Sequence, residues 1–448
     1  MDDERPRLPI RIVVSDDLER SRVTVFFRGL LAIPHLIVVS LWGIAAFAVA
    51  VILWLALLFE GRAPRSLQSF VTAYLRYSVQ VSAYLHLAAA PFPRFGGADG
   101  YPVDVEIEPA SAQSRGRVAA RLVLALPLLL LTTALGGGAF FGNVSWVTRQ
   151  EGFDSGGWSA GVTMGGVAAT AAVLGWFAAL ARGRMPRGLR DLIVYAIAYT
   201  AQVTGFLLLV TDHYPTSDPN RVLPLAELPD HAVSLRLEDR LERSRLTVFF
   251  RLLLAIPHLI WLSLWTVLAV LAAIVAWFVA LATGRVPRGL HRFISAWVRY
   301  STHVAAFLFV VGGPFPGFVG AAGSYPVDLV IAPPARQRRS VTLFRAWIAI
   351  PALLLSSAYS VALYVVALLG WWAALFTGRM PEGIRNLGAV SLRYTGQVNA
   401  YLFLLTDRYP DSGPAVRDRP HDEQLQLELD PPPTPSQWPY AAPGIEPG

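Results

Sequence analysis

The chain has 448 residues, of which 54% are hydrophobic and 15% are charged, and it carries a formal net charge of +7. Soluble domains usually carry about a quarter charged residues, so this composition favours a polytopic membrane protein. Cysteine is absent, which excludes disulfides, thiolate metal sites and cysteine nucleophiles. All 38 basic residues are arginine and crowd the ends of apolar blocks, a distribution that disfavours nucleic acid as a partner.

A long apolar stretch follows the polar N-terminal segment. Between Gly29 and Phe59 it contains no aspartate, glutamate or arginine. As a single helix this stretch would be about 46 Å long, whereas the hydrocarbon core of a bilayer is about 30 Å thick. The stretch must therefore tilt, begin in the interface or fold back as a hairpin.

This apolar stretch is the first of four related copies. The segment L-E-R-S-R-V-T-V-F-F-R that ends at Arg28 returns with one change in the segment that ends at Arg251. Two more diverged copies carry their helix-breaking proline at Pro127 and Pro351. Each copy closes with a G-R-x-P turn, at Gly61, Gly183, Gly284 and Gly378. The pattern predicts a unit that was duplicated and then duplicated again.

The repeats predict four units and a tail. The boundaries are residues 1–110 for unit 1, 111–222 for unit 2 with an inserted loop at 136–158, 223–333 for unit 3, 334–417 for unit 4, and 418–448 for a proline-rich tail. Each unit is expected to combine a short strand, an apolar helix or hairpin, and an amphipathic helix. The predicted fold class is therefore a mainly α polytopic membrane protein with a small β-sheet outside the bilayer.

The strands are predicted from period-two alternation, which is typical of half-buried strands. Candidate strands begin at Ile10, Val103, Ser234, Val327 and Gln424. We expect these five to pair into one sheet, because a lone strand would be unstable.

An amphipathic helix of about 24 residues is predicted after each turn, since proline is well tolerated at a helix start. In unit 1, Gln68, Thr72, Arg76 and Gln80 follow at spacings of four and share one helix face. Such a helix either lies in the membrane interface or spans with its polar stripe facing other helices.

The inserted loop of unit 2 constrains the topology, because its charged residues Arg149, Glu151 and Asp154 do not lie in hydrocarbon. If the other apolar stretches were single spans, the closing turn of unit 2 would lie on the opposite side from the other three. We therefore predict four hairpins, multi-pass or re-entrant in the cell membrane, although arms of about 15 residues are short. The positive-inside rule then places the strands and the tail on the cytoplasmic side.

The amphipathic helices supply the candidate site for a lipid phosphate or another anion. It consists of Arg76 and Gln80, Arg299 and His303, and Arg393 and Gln397, with Ala198 and Gln202 at the matching positions of unit 2. Guanidinium and amide groups one helical turn apart suit phosphate binding. In the alternative interpretation, these arginines lie at the headgroup level or bond carbonyl groups of a neighbouring helix.

Other residues give weaker signals. His35 and His258 follow the helix-breaking prolines of units 1 and 3, and two facing histidines would suit a metal or proton site. No acidic residue stands at ligand spacing, so a packed or interfacial histidine is favoured and no metal is predicted. Asp212 and Asp407, in T-D-x-Y-P segments, are predicted to cap turns rather than to act in catalysis.

Motifs for catalysis or nucleotide binding are missing: the sequence contains no nucleotide-binding loop, G-x-S-x-G or H-E-x-x-H. We therefore expect no enzymatic activity and no cofactor.

The set L-L-A-I-P-H, G-R-x-P-R-G-L and T-D-R-Y-P resembles a bacterial integral membrane domain family of unknown function (DUF). The resemblance covers nearly the whole chain up to about Val416, and it implies an architecture but no activity. Units 2 and 4 depart from the pattern because they lack the histidine, and unit 2 also carries the inserted loop.

The leading functional hypothesis is a non-enzymatic membrane scaffold or lipid-interacting component, with membrane lipids as its partners. The alternative is a transporter or channel with a polar path between the two halves of the chain. The sequence leaves open a homo-oligomer or a protein partner that docks on the sheet or the tail.

Overall fold

The structure is a computed structural model that describes residues 8–108, 113–136, 166–223 and 231–415. We count each strand with the apolar helix that follows it, so the strands Val103–Ile107 and Val327–Ile331, which lie inside the predicted ranges 1–110 and 223–333, are assigned to units 2 and 4. Units 1 and 2 contain β1 (Ile10–Val14), α1 (Arg22–Phe59), α2 (Arg65–Leu85), β2 (Val103–Ile107), α3 (Arg115–Gly136), α4 (Val167–Arg182), α5 (Arg187–Leu207) and α6 (Pro219–Val222). Units 3 and 4 contain β3 (Val233–Leu237), α7 (Arg245–Phe249), α8 (Arg251–Thr283), α9 (Arg288–Leu308), β4 (Val327–Ile331), α10 (Arg339–Ile348), α11 (Ile350–Thr377) and α12 (Glu382–Leu402).

The hairpin prediction is wrong for three of the four apolar stretches. Helix α1 runs without a break for 38 residues, and α8 and α11 are single helices of 33 and 28 residues. Pro34 removes one backbone hydrogen bond from α1. A turn at this place would leave further backbone N–H and C=O groups without partners, so the helix continues through the proline. In unit 2, α3 ends at Gly136 and α4 begins at Val167, and the predicted loop between them lies outside the described residues.

The four amphipathic helices are confirmed, with 21 residues each instead of about 24. In each turn the glycine ends the apolar helix in the left-handed region, with φ between 71° and 73° at the four positions. Glycine takes this conformation without a Cβ clash, and the proline three residues later is the N-cap residue of the next helix. The same G-R-x-P turn thus reverses the chain in every unit.

The predicted single sheet is replaced by two separate two-stranded antiparallel sheets, β1 with β2 and β3 with β4. Ile12 lies opposite Val105 in the first sheet, and Leu235 lies opposite Leu329 in the second. The strands pair within each half of the chain because the two units of that half face each other. The fifth candidate strand, at Gln424, lies outside the described residues.

The elements stack in layers. The apolar helices α1, α8 and α11 each pack along the amphipathic helix that follows, and α3 and α4 both pack on α5. The strands cover other faces of the amphipathic helices, β2 on α2, β1 on α5, β4 on α9 and β3 on α12. The two halves meet where α11 contacts α3 and α4. The amphipathic helices therefore form the buried middle layer.

The outer surface of the apolar helices carries little polarity. Four helices, α1, α3, α8 and α11, are long and apolar enough to cross a membrane. Helix α1 buries one stripe, which includes Val25, Ala46 and Leu53, and exposes large apolar side chains such as Phe26 and Ile44 on its other faces. Exposed apolar area on this scale is typical of a surface that contacts lipid.

Tryptophan side chains join the two units of each half. Each tryptophan stands at the same place before a closing turn, and each indole N–H donates to a carbonyl near the start of the partner unit's apolar helix. The pairs are Trp54 to Val118 at 2.9 Å, Trp176 to Val25 at 3.0 Å, Trp277 to Thr342 at 2.8 Å and Trp371 to Val248 at 3.0 Å. The two units of each half are therefore joined by two hydrogen bonds, and each unit donates in one bond and accepts in the other.

We expect Trp371→Phe to lower the thermal unfolding midpoint in detergent by a few degrees, because the lost hydrogen bond contributes about 1 kcal/mol. Trp372→Phe is the matched control, since the neighbouring Trp372 is exposed and has no comparable bond in the described residues. Equal shifts in the two variants would show that the indole hydrogen bond does not stabilise the half.

Candidate functional site

In unit 1 the predicted pair Arg76 and Gln80 binds the strand segment rather than an open surface. The Gln80 amide donates to the carbonyl of Ala98 at 2.8 Å and to the Asp104 carboxylate at 3.1 Å. Arg76 forms ion pairs with Asp99 and, at 3.5 Å, with Asp104. Both side chains therefore hold the loop and strand that follow α2.

In unit 3 the pair Arg299 and His303 does the same. The Nε2 of His303 donates to Asp328 Oδ1 at 2.7 Å, and both side chains are buried. The Asp328 carboxylate also accepts the backbone N–H groups of Gly323 and Leu329. Arg299 Nε donates to the carbonyl of Leu329 at 2.9 Å. Asp328 is thus a buried carboxylate with several donors, and His303 is one of them.

In unit 4 Arg393 and Gln397 hold the segment that leaves α12. Arg393 pairs with Asp411 at 3.1 Å and also donates to the carbonyl of Gly413. Gln397 donates to the carbonyl of Val233 and accepts the N–H of Asp411 at 2.9 Å. All six predicted residues therefore have partners within the chain, which matches the alternative interpretation in part. Their role in binding lipid or another anion stays a prediction.

The two histidines lie in aromatic cages within their own units. His35 Nδ1 is 2.6 Å from the Tyr77 hydroxyl, and its ring lies 4.4 Å from the rings of Phe92 and Phe95. His258 has the same surroundings in unit 3, formed by Tyr300, Phe315 and Phe318. No cluster of three or more possible metal-ligating side chains occurs in the described residues. His35 and His258 are therefore packed side chains, and each forms a hydrogen bond that orients a tyrosine of its own unit.

Four buried arginines, which were not among the predicted site residues, bind the C-terminal ends of the amphipathic helices. Arg28, Arg121, Arg251 and Arg345 occupy the same repeat position, and each guanidinium also lies 4.4–4.7 Å from the centre of an aromatic ring at the helix end. Arg251 shows the pattern: it donates to the carbonyls of Phe307 at 2.6 Å, Gly312 at 3.1 Å and Gly313 at 3.3 Å. Helix C-termini leave carbonyl groups without intrahelical partners, and the guanidinium satisfies them.

The sequence held a signal for these arginines, because an arginine precedes the helix-breaking proline at the same spacing in all four units, including the diverged ones. The sequence does not predict which carbonyl groups the arginine binds, because the helix end in question lies 56 residues away in units 1, 3 and 4.

The predicted turn caps are corrected by the structure. Thr211 and Thr406, one residue before each aspartate, accept the backbone N–H groups of His213 and Arg408 at 3.1 Å. Asp212 instead pairs with Arg117 at 3.4 Å and with Arg121 at 3.5 Å. The threonine hydroxyl reaches the N–H two residues on, which leaves the Asp212 carboxylate free for the two arginines and for the backbone N–H of Ser114 at 3.3 Å.

The tyrosines of the two Y-P-V-D segments are neutral donors outside the long helices. Tyr101 donates to the carbonyl of Pro91 at 2.7 Å, and Tyr325 donates to the carbonyl of Pro314 at 2.9 Å. Burial raises the pKa of both hydroxyl groups above the ordinary tyrosine value. These contacts close the loops that supply the phenylalanines of the histidine cages.

A second group of arginines is exposed where the closing turns meet the starts of the apolar helices. We call these eight the junction arginines: Arg62, Arg65, Arg182, Arg184, Arg285, Arg288, Arg336 and Arg338. None of them forms a side-chain ion pair with a carboxylate in the described ranges. At one junction, Gly284 and residues 336–340 line an open cleft. Guanidinium groups without acidic partners at the end of an apolar surface can meet anionic headgroups.

Comparison with known proteins identifies a matching family model, described as Domain of unknown function (DUF4389). It matches four segments, residues 22–95, 161–217, 245–316 and 339–412. Together these segments cover more than half of the chain. No curated protein and no solved structure matches the chain significantly.

We expect His303→Gln to fold with nearly unchanged stability, because units 1, 2 and 4 carry glutamine at this position and Gln80 donates to the matching Asp104. His303→Leu should lose about 3 kcal/mol, because it leaves the buried Asp328 with one donor fewer. Thermal unfolding in detergent compares the two variants. Equal loss in both would mean that the ring itself, not a donor to Asp328, is required.

We expect Arg251→Met to destabilise the protein by about 3 kcal/mol, since three buried carbonyl groups lose a charged donor. Arg288→Met, at an exposed junction arginine of the same unit, should change stability by less than about 0.5 kcal/mol. Resistance to proteolysis in detergent and the unfolding midpoint measure both. An unchanged Arg251→Met variant would contradict the role of Arg251 as the cap of α9.

Proposed function

Because the chain belongs to the DUF4389 family of domains of unknown function, which supplies no activity, we propose its function from its surfaces. The proposal is a non-enzymatic membrane component that binds lipid and organises the bilayer around it. The observation that carries it is the pairing of two surfaces, an apolar one on the long helices and a cationic one at their ends.

The apolar surface supports contact with lipid acyl chains. On α8 the exposed side chains include Leu252, Leu264, Leu271 and Phe278, each more than half exposed and spread along the length of the helix. An apolar surface that continues over the long helices far exceeds the patches that soluble monomers expose. It is also shaped by the fold, because each helix buries only one stripe against its amphipathic partner.

The junction arginines support contact with anionic headgroups. They stand at the ends of the apolar helices, where a lipid phosphate would lie next to the acyl chains. Each arginine near an anionic membrane surface contributes about 1 kcal/mol. The chemistry is therefore that of a protein that holds negatively charged phospholipids around its apolar surface.

The internal hydrogen bonds of the amphipathic helices support a non-enzymatic role. The polar groups on the amphipathic helices, which would be the natural place for chemistry in the buried layer, bond to strands and loops of the chain itself. The transporter alternative needs a polar route between the halves. Where α12 of the second half meets the start of α6 of the first half, the Asn386 amide donates to the Asp218 carboxylate at 3.0 Å, and both residues are buried. This buried hydrogen bond favours a fixed contact between the halves.

The proposal is tested by lipid-dependent stabilisation. We expect phosphatidylglycerol to raise the unfolding midpoint in detergent more than phosphatidylcholine does, because only the former carries net negative charge. The quadruple variant Arg285→Gln, Arg288→Gln, Arg336→Gln, Arg338→Gln should bind phosphatidylglycerol at least ~10-fold more weakly and lose most of this difference.

The matched control removes the same charge from the sheet side, with Arg11, Arg76, Arg236 and Arg299 changed to glutamine. We expect it to keep the difference between the two lipids. If the control loses the difference and the junction variant keeps it, the predicted site at Arg76 and Arg299 holds the lipid instead. If the unaltered protein shows no difference between the lipids, the lipid-binding proposal fails.

A further inference from the structure

The two units of each half are related by a local twofold rotation. Trp54 donates to the carbonyl of Val118, and Trp176 donates to the carbonyl of Val25. The repeat that matches Trp54 with Trp176 also matches Val25 with Val118. An operation that exchanges two units and returns each contact with its roles exchanged is a twofold rotation.

The strands fix the direction of this axis. β1 and β2 are antiparallel, and Ile12 lies opposite Val105, which is its own repeat equivalent. In the second half Leu235 lies opposite its equivalent Leu329. A twofold rotation that exchanges two antiparallel strands must be perpendicular to their sheet. The axis of each half therefore passes through the sheet and into the helices beneath it.

The twofold symmetry places both ends of α1 at the same position along the axis, which we call their height. A rotation does not change the position of an atom along its axis, so Trp54 and its equivalent Trp176 are level. The Trp176 indole is 3.0 Å from the carbonyl of Val25, near the start of α1. Trp54, near the end of α1, is therefore level with Val25 to within a side-chain contact. In the second half Trp371 contacts Val248 and makes Trp277 level with it in the same way.

Two limiting orientations of the twofold axis can be compared, one in the plane of the membrane and one along the membrane normal. If α1 crossed the bilayer, the axis would lie in the membrane plane, and the sheet on it would be at mid-depth. The exposed ion pair between Arg11 and Glu106 on this sheet, with side chains 50% and 52% exposed, would then face hydrocarbon. Exposed charges are strongly disfavoured there. If the axis follows the membrane normal, the sheets face water and the apolar helices face lipid.

We propose that α1, α8 and α11 lie along one leaflet of an anionic phospholipid bilayer, with both ends of each of these helices, its junction arginines and the sheet of the same half on the same aqueous side. This inference rests on the proposed function, because it assigns the lipid-facing surface a single leaflet as its occupant. It explains why arginines occur at both ends of the apolar helices. Arg182 and Arg184 lie beside the start of α1, Arg62 and Arg65 follow its end, and the two groups are level.

Single cysteines test the proposal in a chain that has none. Ser21→Cys and Ser66→Cys mark the two ends of α1, and Val13→Cys marks the sheet; all three positions are exposed. An impermeant maleimide is applied to right-side-out and inside-out membrane vesicles, with labelling after solubilisation as the reference. We expect all three cysteines to react in the same type of vesicle and to be protected at least 10-fold in the other.

Opposite accessibility of Ser21→Cys and Ser66→Cys would overturn the one-sided arrangement and show a spanning helix, while leaving the lipid-binding function intact. Release of the unaltered protein from membranes by alkaline carbonate would instead contradict the proposed function. Trypsin treatment of both vesicle types gives a second measurement on the unaltered chain. Cleavage at Arg22 and at Arg62 or Arg65 from the same side supports the proposal, and cleavage from opposite sides contradicts it.

Discussion

The carbonyl groups at the ends of α2, α5, α9 and α12 need donors in a place that water does not reach. In every unit a buried arginine from the apolar helix supplies them, and its guanidinium also covers the last aromatic ring of the amphipathic helix. A charged group buried without such partners would be very costly. The arginine therefore fixes how far each apolar helix can slide along its amphipathic neighbour. The histidine cages, the tryptophan bonds and the strand positions all depend on that register.

A single unit does not complete its own polar contacts. The start of each apolar helix bonds to the tryptophan of the partner unit, and the backbone groups of each strand pair with those of the strand of the other unit. Two strands and the helices beneath them form the smallest part of the chain in which these groups are satisfied. This explains why the unit occurs in pairs.

The polar stripe of the amphipathic helices illustrates how a pattern can be correct while its partner is missed. The spacing of Arg76 and Gln80 places both on one helix face, and the structure shows them there. Sequence periodicity does not tell whether that face meets water, lipid or protein. Here it meets a strand that carries Asp104, so the groups suited to an external anion bind an internal carboxylate. The junction arginines, in contrast, are exposed and form no ion pair with a carboxylate of the described residues.

The sequence by itself determined the four repeated units, the apolar helices, the G-R-x-P turns and the amphipathic helices, because these follow from local spacing, glycine and proline. It also supplied the strands at Ile10, Val103, Ser234 and Val327, since alternation is a local property. Only the tertiary structure decided that α1 is one helix, that the strands form two sheets, and that Arg28 and its equivalents cap distant helix ends. These outcomes depend on which surfaces meet, and the energy of a buried polar group is set by its partner across the fold rather than by its neighbours in the chain.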